Sequence, residues 1–146
     1  MPRLPPDVTV MLVEDIPAMR LLVRQMLRNL GVNNVVEAAD GSSALQVLQG
    51  QRVDVILSDW NMIPMTGYQL LMAVRDTEPY RHTPFIMLTG QHTDEHVRRA
   101  VAAGVSGYLV KPFGLDTLAR QLCRVLGGRP PPSSSSPGQR GSTSFV

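Results

Sequence analysis

The sequence has little of what several common classes of protein depend on. Its single cysteine, Cys123, excludes an internal disulfide and a metal site built from cysteines. No apolar run approaches the roughly 18 residues that a membrane-spanning helix needs. The start, MPRLPP, also lacks the charged-then-apolar layout of a signal peptide. We therefore expect a cytoplasmic protein with no membrane partner.

An excess of positive charge is also missing from most of the chain. The formal net charge of +2 comes from Arg129 and Arg140 near the C-terminus, because residues 1–128 carry twelve basic and twelve acidic side chains. No basic stripe with interleaved aromatic residues occurs in this part, so we expect no nucleic-acid partner. Thirteen of the fourteen basic residues are arginine, and Lys111 is the single lysine.

The ends of the chain differ in composition from its middle. A length of 146 residues indicates one domain, since domains typically contain about 100–200 residues. Fourteen of the last twenty residues are Gly, Pro or Ser, and such a segment cannot bury enough apolar surface to offset the entropy of ordering. We expect an N-terminal extension over residues 1–7, a folded domain over 8–126 and a disordered tail over 127–146.

Within the folded part, short apolar runs alternate with helical stripes. Strands are predicted over 8–13, 34–38, 53–58, 85–89 and 107–110, and helices beginning near Pro17, Gly41, Gly67, Asp94 and Asp116. The stripe of the first helix, which we expect to face the core, consists of Met19, Leu22, Val23, Met26, Leu27 and Leu30. This alternation predicts an α/β fold: a doubly wound, flavodoxin-like five-stranded parallel sheet, covered by five helices, in the common strand order 2-1-3-4-5.

Polar side chains follow the strands that this order brings together. Glu14 and Asp15 follow the first strand, Asp59 the third, Thr89 the fourth and Lys111 the fifth. Three carboxylates at one edge require a cation, since two like charges ~4 Å apart repel by about 4 kcal/mol at an effective dielectric near 20. Oxygen ligands that leave room for water and a phosphate are typical of Mg²⁺.

A phosphate accounts for the other members of this set. Lys111 offers a compact positive charge, and Thr89 offers a hydroxyl donor that can move onto a phosphoryl oxygen. Asp59 is the best candidate nucleophile, because a carboxylate at this edge can accept a phosphoryl group as an acyl phosphate. Each residue alone has an ordinary explanation, as a helix cap or a solvated side chain, but five on one edge favour a site.

Several motifs together resemble the receiver domains of two-component response regulators. They are VED (13–15), SDWNM (58–62), Gly67, TG (89–90) and GYLVKPF (107–113). The resemblance covers the folded domain and is greatest to stand-alone, chemotaxis-type members. It implies that a sensor histidine kinase or phosphotransfer protein phosphorylates Asp59, and that the chain is not an enzyme beyond its own phosphorylation and dephosphorylation.

The resemblance also implies which residues hold the metal. Mg²⁺ would be bound by Asp15, Asp59 and the backbone carbonyl of Asn61, with Glu14 acting through water. Glu14 is one methylene longer than the more frequent aspartate of the family.

Further roles implied by the resemblance concern the phosphoryl group and the output. Lys111 pairs with the group, Thr89 shifts toward it, and Tyr108 swings inward as Thr89 moves. Asn61 and Gln91 lie where the family tunes hydrolysis. An unidentified output protein would read the face formed by the fourth helix, fifth strand and fifth helix, and the chain is expected to be a monomer.

One further departure and two ambiguous signals accompany the resemblance. Ile63 stands where the family commonly has proline, with Pro64 one position later, whereas Pro112 matches a position that follows a cis bond. We expect Trp60 to be an exposed ring beside the site. His92 and His96, four residues apart, are expected in solvent rather than on a metal.

Two other functions remain as alternatives. One is a phosphorylation-independent receiver that acts as a binding module, with Asp59 silent. The other is an aspartyl-nucleophile phosphatase, but such enzymes usually need a second aspartate as general acid two residues later, and Asn61 occupies that place.

Overall fold

Five strands and five helices alternate along the chain, in a computed structural model that describes residue 4, residues 7–90 and residues 93–127. The strands are β1 (Thr9–Val13), β2 (Asn34–Ala38), β3 (Val55–Asp59), β4 (Phe85–Thr89) and β5 (Gly107–Val110). The helices are α1 (Pro17–Asn29), α2 (Gly41–Gly50), α3 (Gly67–Arg75), α4 (Asp94–Ala102) and α5 (Leu115–Leu126). The predicted alternation is confirmed.

All five strands join one parallel sheet in the order β2-β1-β3-β4-β5, as predicted. Every residue of β3 and β4 is buried, because these strands are central and helices cover both faces of the sheet. β1 and β3 are neighbours in the sheet although β2 lies between them in sequence. The strands after β1 are therefore added first on one side of it and then on the other. The carboxyl ends of β1 and β3 therefore lie side by side at the switch point of the fold.

Local sequence signals define most helix ends. Asp40 and Thr93 accept hydrogen bonds from the backbone N–H of Ser43 and His96, at 2.8 and 3.2 Å, and so cap α2 and α4. Thr66 and Gln69 form a reciprocal capping box at the start of α3. Gly31 follows the end of α1 with φ +95°, a left-handed conformation that favours glycine.

The prediction that Leu22 of α1 faces the core is wrong. Val23 and Leu27 are buried, but Leu22 is 51% exposed. Successive helical residues are about 100° apart, so Leu22 lies roughly 100° from Val23 and about 140° from Leu27 around the axis. The part of α1 that contacts the sheet is therefore narrower than the apolar stripe in its sequence.

The described terminal residues bear on the expected extensions. Leu4, within the predicted N-terminal extension, is buried in the core together with Val8 and Leu30. Residues 128–146, nearly all of the expected tail, lie outside the described part of the chain. None of the described helices is long and apolar enough to cross a membrane.

Arg75, at the end of α3, forms hydrogen bonds with the two loops that precede β4 and β5. Its guanidinium donates hydrogen bonds to the carbonyls of Arg81, Thr83 and Gly104 at 2.8, 2.7 and 2.9 Å. It also lies 3.4 Å from the hydroxyl of Ser106. Burial lowers the pKa of Arg75, since the charged form loses hydration. This one side chain thus satisfies backbone carbonyls in both the α3–β4 and the α4–β5 connections.

Arg75→Met should lower the free energy of unfolding by about 2–3 kcal/mol, because hydrogen bonds to charged groups contribute about 1.5–3 kcal/mol and three backbone carbonyls would lose their donor. Urea unfolding followed by circular dichroism measures the change. Arg120→Met, at an exposed position of α5, is the matched control and should shift stability by less than about 0.5 kcal/mol. Equal midpoints for the two variants would contradict this role of Arg75.

Candidate functional site

Three carboxylates meet at the carboxyl edge of the sheet. Glu14 and Asp15 follow β1, and Asp59 is the last residue of β3. One oxygen from each of the three lies within 4.8 Å of the others. Glu14 and Asp59 are almost completely buried, whereas Asp15 is partly exposed. The structure thus brings together the acidic residues that the sequence placed at this edge.

Lys111 lies between two of these carboxylates. Its Nζ is 2.6 Å from Asp59 Oδ1 and 3.5 Å from Glu14 Oε1. The backbone N–H of Lys111 donates to the Thr89 carbonyl at 2.7 Å, which holds the end of β5 next to the end of β4. One positive charge thus faces three carboxylates, and the site has an excess of negative charge when all are ionised.

Burial opposes that negative charge. It raises the pKa of Glu14 above its usual value, and the Asp59 carboxylate raises it further. Burial also raises the pKa of Asp59, although the hydrogen bond and charge of Lys111 partly offset this rise. Both carboxyl groups are therefore costly to ionise in the folded protein, which a bound cation would relieve.

Two buried carboxylate oxygens have no hydrogen-bond partner among the described residues. Asp15 Oδ1 accepts no hydrogen bond from the described residues, and Glu14 Oε1 has only its 3.5 Å ion pair with Lys111. Buried polar atoms without partners are rare in folded proteins, so an arrangement of this kind calls for a ligand. Clustered carboxylate oxygens are suited to a hard divalent cation, and the residues present fit a divalent metal site.

The loop after Asp59 is fixed close to the site. The N–H of Trp60 donates to the Leu88 carbonyl at 2.9 Å, and the N–H of Gly67 donates to the Trp60 carbonyl at 2.8 Å. A Cβ at position 67 would overlap the Asp59 carbonyl, so only glycine fits there. Asn61 continues this loop with an exposed side chain.

The residues expected to act as a switch lie beside the carboxylates. Thr89 and Tyr108 are both buried, at the end of β4 and within the adjacent strand β5. Burial raises the pKa of Tyr108, and a hydrogen bond with the Thr89 side chain opposes the rise. Tyr108 is therefore already packed inward and paired with Thr89, and its movement stays a prediction.

The expectation that Trp60 is an exposed ring is wrong. Only 6% of Trp60 is accessible, because the rings of Tyr68 and His96 pack against it. His96 is consequently half-buried rather than free in solvent. Its predicted neighbour His92, like Gln91, lies outside the described residues.

Sequence reasoning missed Tyr68 and Arg99, which contact each other near the site. The available signal was weak: Tyr68 follows the motif glycine Gly67, and Arg99 lies one turn after His96. Nothing in either segment indicates that α3 and α4 bring them together.

The departure at Ile63 lies in the outer part of the loop. Ile63 is 79% exposed and precedes a cis bond to Pro64. The Lys111–Pro112 bond is also cis, as the resemblance implies. Asp59 and Lys111 are nevertheless in direct contact, so the departure leaves this central pair intact.

The arrangement has the parts needed for phosphoryl transfer to a carboxylate. Asp59 offers a nucleophilic oxygen, and Lys111 offers a positive charge for the incoming group. The adjacent carboxylate oxygens can hold a cation that neutralises phosphoryl oxygens.

Comparisons with known proteins agree with this chemistry. Residues 10–122 match the family model described as the response regulator receiver domain. The chemotaxis protein CheY of Pseudomonas aeruginosa is 39% identical over 116 residues, which cover 80% of this chain and 94% of that protein.

Two solved structures have the same fold. Chemotaxis protein CheY4 of Vibrio cholerae is 42% identical, with a TM-score of 0.77, covering 82% of this chain and 98% of that one. The receiver domain of the sensor histidine kinase PA1611 from Pseudomonas aeruginosa, solved with a magnesium ion coordinated in its active site cleft, is 35% identical with a TM-score of 0.75. It covers 82% of this chain and 98% of that chain. The chain belongs to the response regulator receiver domain family.

Proposed function

We propose that Asp59 accepts a phosphoryl group from the phosphohistidine of a sensor histidine kinase or phosphotransfer protein, in a reaction that requires Mg²⁺. The observation that carries the proposal is the 2.6 Å contact between Asp59 Oδ1 and Lys111 Nζ inside a cluster of three carboxylates. The magnesium ion in the related PA1611 receiver domain supports the choice of metal.

Transfer replaces a nitrogen–phosphorus bond by an oxygen–phosphorus bond. An oxygen of Asp59 attacks phosphorus, the bond to the donor imidazole breaks, and that imidazole takes up a proton. Lys111 stays with the phosphoryl oxygens as the group arrives. Asp15, Asp59 and the Asn61 backbone carbonyl would hold the cation, with Glu14 acting through water, and the bound cation would supply charge neutralisation for those oxygens.

Return to the starting state requires hydrolysis. Water attacks phosphorus, the bond to Asp59 breaks, and phosphate leaves with the carboxylate restored. Asn61 and Gln91 are the residues that we assign to influencing this water. The chain would thus turn over only its own phosphoryl group, as expected for a receiver rather than an enzyme acting on separate substrates.

Phosphorylation would change the face formed by α4, β5 and α5. Added charge and acceptor oxygens beside Thr89 draw its hydroxyl toward the group, and Tyr108 responds because it is bonded to Thr89. Moving the population from 1:99 to 99:1 requires about 5.5 kcal/mol of preference for the active state. An output protein would bind this face, with residues 8–126 acting as a monomeric cytoplasmic receiver.

A phosphorylation-independent binding module has less support. Such a module would not need Lys111 and Thr89 placed beside Asp59, nor unpartnered carboxylate oxygens next to them. The phosphatase alternative lacks its general acid, because Asn61 cannot donate a proton in that role.

Intact mass after incubation with acetyl phosphate and Mg²⁺ tests the proposal directly. We expect a single base-labile phosphoryl adduct on the natural protein and none on Asp59→Asn or in the absence of Mg²⁺. Asp76→Asn, an exposed carboxylate at the end of α3, is the matched control and should be labelled like the natural protein. An adduct that persists on Asp59→Asn would place the nucleophile elsewhere.

The raised pKa of Glu14 predicts a pH-dependent stability. Folding favours its protonated form, so this stability is present below the ordinary pKa of about 4.5 and is lost as pH rises through the folded value. Glu14→Gln avoids the loss. Without divalent cations it should be more stable than the natural protein at neutral pH, and the difference should shrink toward the ordinary pKa.

Urea midpoints measured across pH, with and without Mg²⁺, check this prediction. Added Mg²⁺ should stabilise the natural protein more than Glu14→Gln, because ligand binding to the folded state raises stability. Glu78→Gln, at a largely exposed carboxylate, controls for the loss of one negative charge. A natural protein more stable than Glu14→Gln in metal-free buffer would contradict the prediction.

Thr89→Ala should separate phosphorylation from its structural consequence. The variant keeps Asp59 and Lys111, so the extent of labelling by acetyl phosphate should remain within about a factor of ten of the natural value. Phosphorylation should change amide hydrogen exchange in α4 and β5 of the natural protein but no longer in Thr89→Ala. An equal exchange response in both proteins would exclude Thr89 as the link to Tyr108.

A further inference from the structure

A cluster of three rings and one cation lies against the loop that leaves the site. We call Trp60, Tyr68, His96 and Arg99 the ring cluster. The Trp60 and Tyr68 rings are stacked, with centroids 5.6 Å apart and an interplanar angle of 14°. The His96 ring lies 4.4 Å from Trp60 at 43°. The Arg99 guanidinium carbon is 4.6 Å from the Tyr68 centroid and 5.9 Å from that of Trp60.

The ring cluster connects α4 to the part of the chain that carries the site. Trp60 stands between Asp59 and Asn61, two of the residues that we assign to the metal. Tyr68 belongs to α3, and His96 and Arg99 lie one turn apart on α4. The indole of Trp60 is therefore held by side chains from two helices.

The backbone of the loop transmits this restraint. Trp60 N–H donates to the Leu88 carbonyl and its own carbonyl accepts from Gly67, so rotation of the residue would break main-chain hydrogen bonds. The packing of the indole and these hydrogen bonds together hold the adjoining backbone of Asp59 and Asn61 in place. His96 is itself fixed, since its backbone N–H donates to the Thr93 hydroxyl at 3.2 Å.

The positive charge of Arg99 allows an electrostatic effect on metal binding to be distinguished from a positioning effect, because the two change the affinity in opposite directions. A nearby positive charge disfavours a bound cation by direct repulsion, so removing it should tighten metal binding if electrostatics alone matters. If Arg99 instead acts by holding the rings, its removal should weaken metal binding. A guanidinium over an aromatic face is attracted to the ring quadrupole, which supplies the holding interaction.

We propose that Arg99, Tyr68 and His96 are positioning residues for the divalent cation site, acting through Trp60. The inference rests on the proposed function, because it takes Asp59 and Asn61 as metal ligands. Coupling between two sites is reciprocal, so cation binding must in turn stabilise the packing of α4 against the rings. Occupation of the metal site and the position of α4 thus depend on each other before any phosphoryl group arrives.

Magnesium titrations of matched arginine variants test whether removing Arg99 weakens or tightens Mg²⁺ binding. Arg99→Ala should bind Mg²⁺ about two- to five-fold more weakly than the natural protein, which corresponds to the loss of one exposed cation–π contact. Arg98→Ala removes the same charge from the neighbouring exposed position of α4, which has no such ring contact among the described residues. It should bind Mg²⁺ as well as or slightly better than the natural protein. Affinities come from the concentration dependence of nuclear magnetic resonance shifts.

Hydrogen exchange of α4 gives a second readout that does not depend on phosphorylation. Mg²⁺ should slow exchange of α4 amides in the natural protein and in Arg98→Ala, and this protection should be lost in Arg99→Ala. Tyr68→Leu, which keeps an apolar side chain but removes the ring, should weaken Mg²⁺ binding similarly. Adding Arg99→Ala to Tyr68→Leu should then cause a smaller loss than Arg99→Ala causes alone, because only the 5.9 Å contact of Arg99 with Trp60 remains to be removed.

The outcomes separate this inference from the proposed function. Natural protein that binds Mg²⁺, with unchanged or tighter binding by Arg99→Ala, overturns the positioning role and leaves the metal site standing. Natural protein that binds no Mg²⁺ overturns both. Weaker binding by Arg98→Ala and Arg99→Ala alike also overturns the role, because it assigns the effect to a general perturbation of α4 rather than to the rings.

Discussion

The crowding of three carboxylates at one edge of a parallel sheet is the constraint on which the rest of this structure depends. Two of them are buried, and one lysine 2.6 Å from Asp59 provides the balancing positive charge. Such a cluster is unfavourable for folding in the absence of a cation, since burial and mutual repulsion both penalise ionisation. For the same reason, the stability of the site depends strongly on a divalent cation or a phosphoryl group, because either one changes the net charge at this edge.

Rigid packing around this edge confines any adjustment to the loops and helices that meet it. β3 and β4 are buried throughout and leave little freedom for the sheet itself. The adjustable elements are the loops and helices that meet the edge. On one side of the site, Thr89 at the end of β4 is hydrogen-bonded to Tyr108 in β5. On the other side, the stacked rings of Trp60 and Tyr68 contact α4. The face expected to meet a partner is thus connected to both flanks of Asp59, by Tyr108 in β5 on one side and by His96 and Arg99 in α4 on the other.

The architecture could be predicted from the sequence because its signals are local. Alternating apolar runs and helical stripes defined all ten elements. Three predictions failed where local pattern is insufficient. Leu22 belongs to an apolar stripe wider than the contact between α1 and the sheet. The burial of Trp60 and the partial burial of His96 depend on packing between α3 and α4, which no local pattern shows.

The sequence by itself determined the order of elements, the edge at which Glu14, Asp15, Asp59, Thr89 and Lys111 gather, and the chemistry available there. These depend on short-range periodicity and on the rule that parallel strands end at one edge. Only the tertiary structure decided the burial of Trp60, the inward position of Tyr108 and the contact of Arg99 with Tyr68. Those features depend on the relative placement of helices that are far apart in sequence, where a rotation of one helix by a single residue replaces every contact.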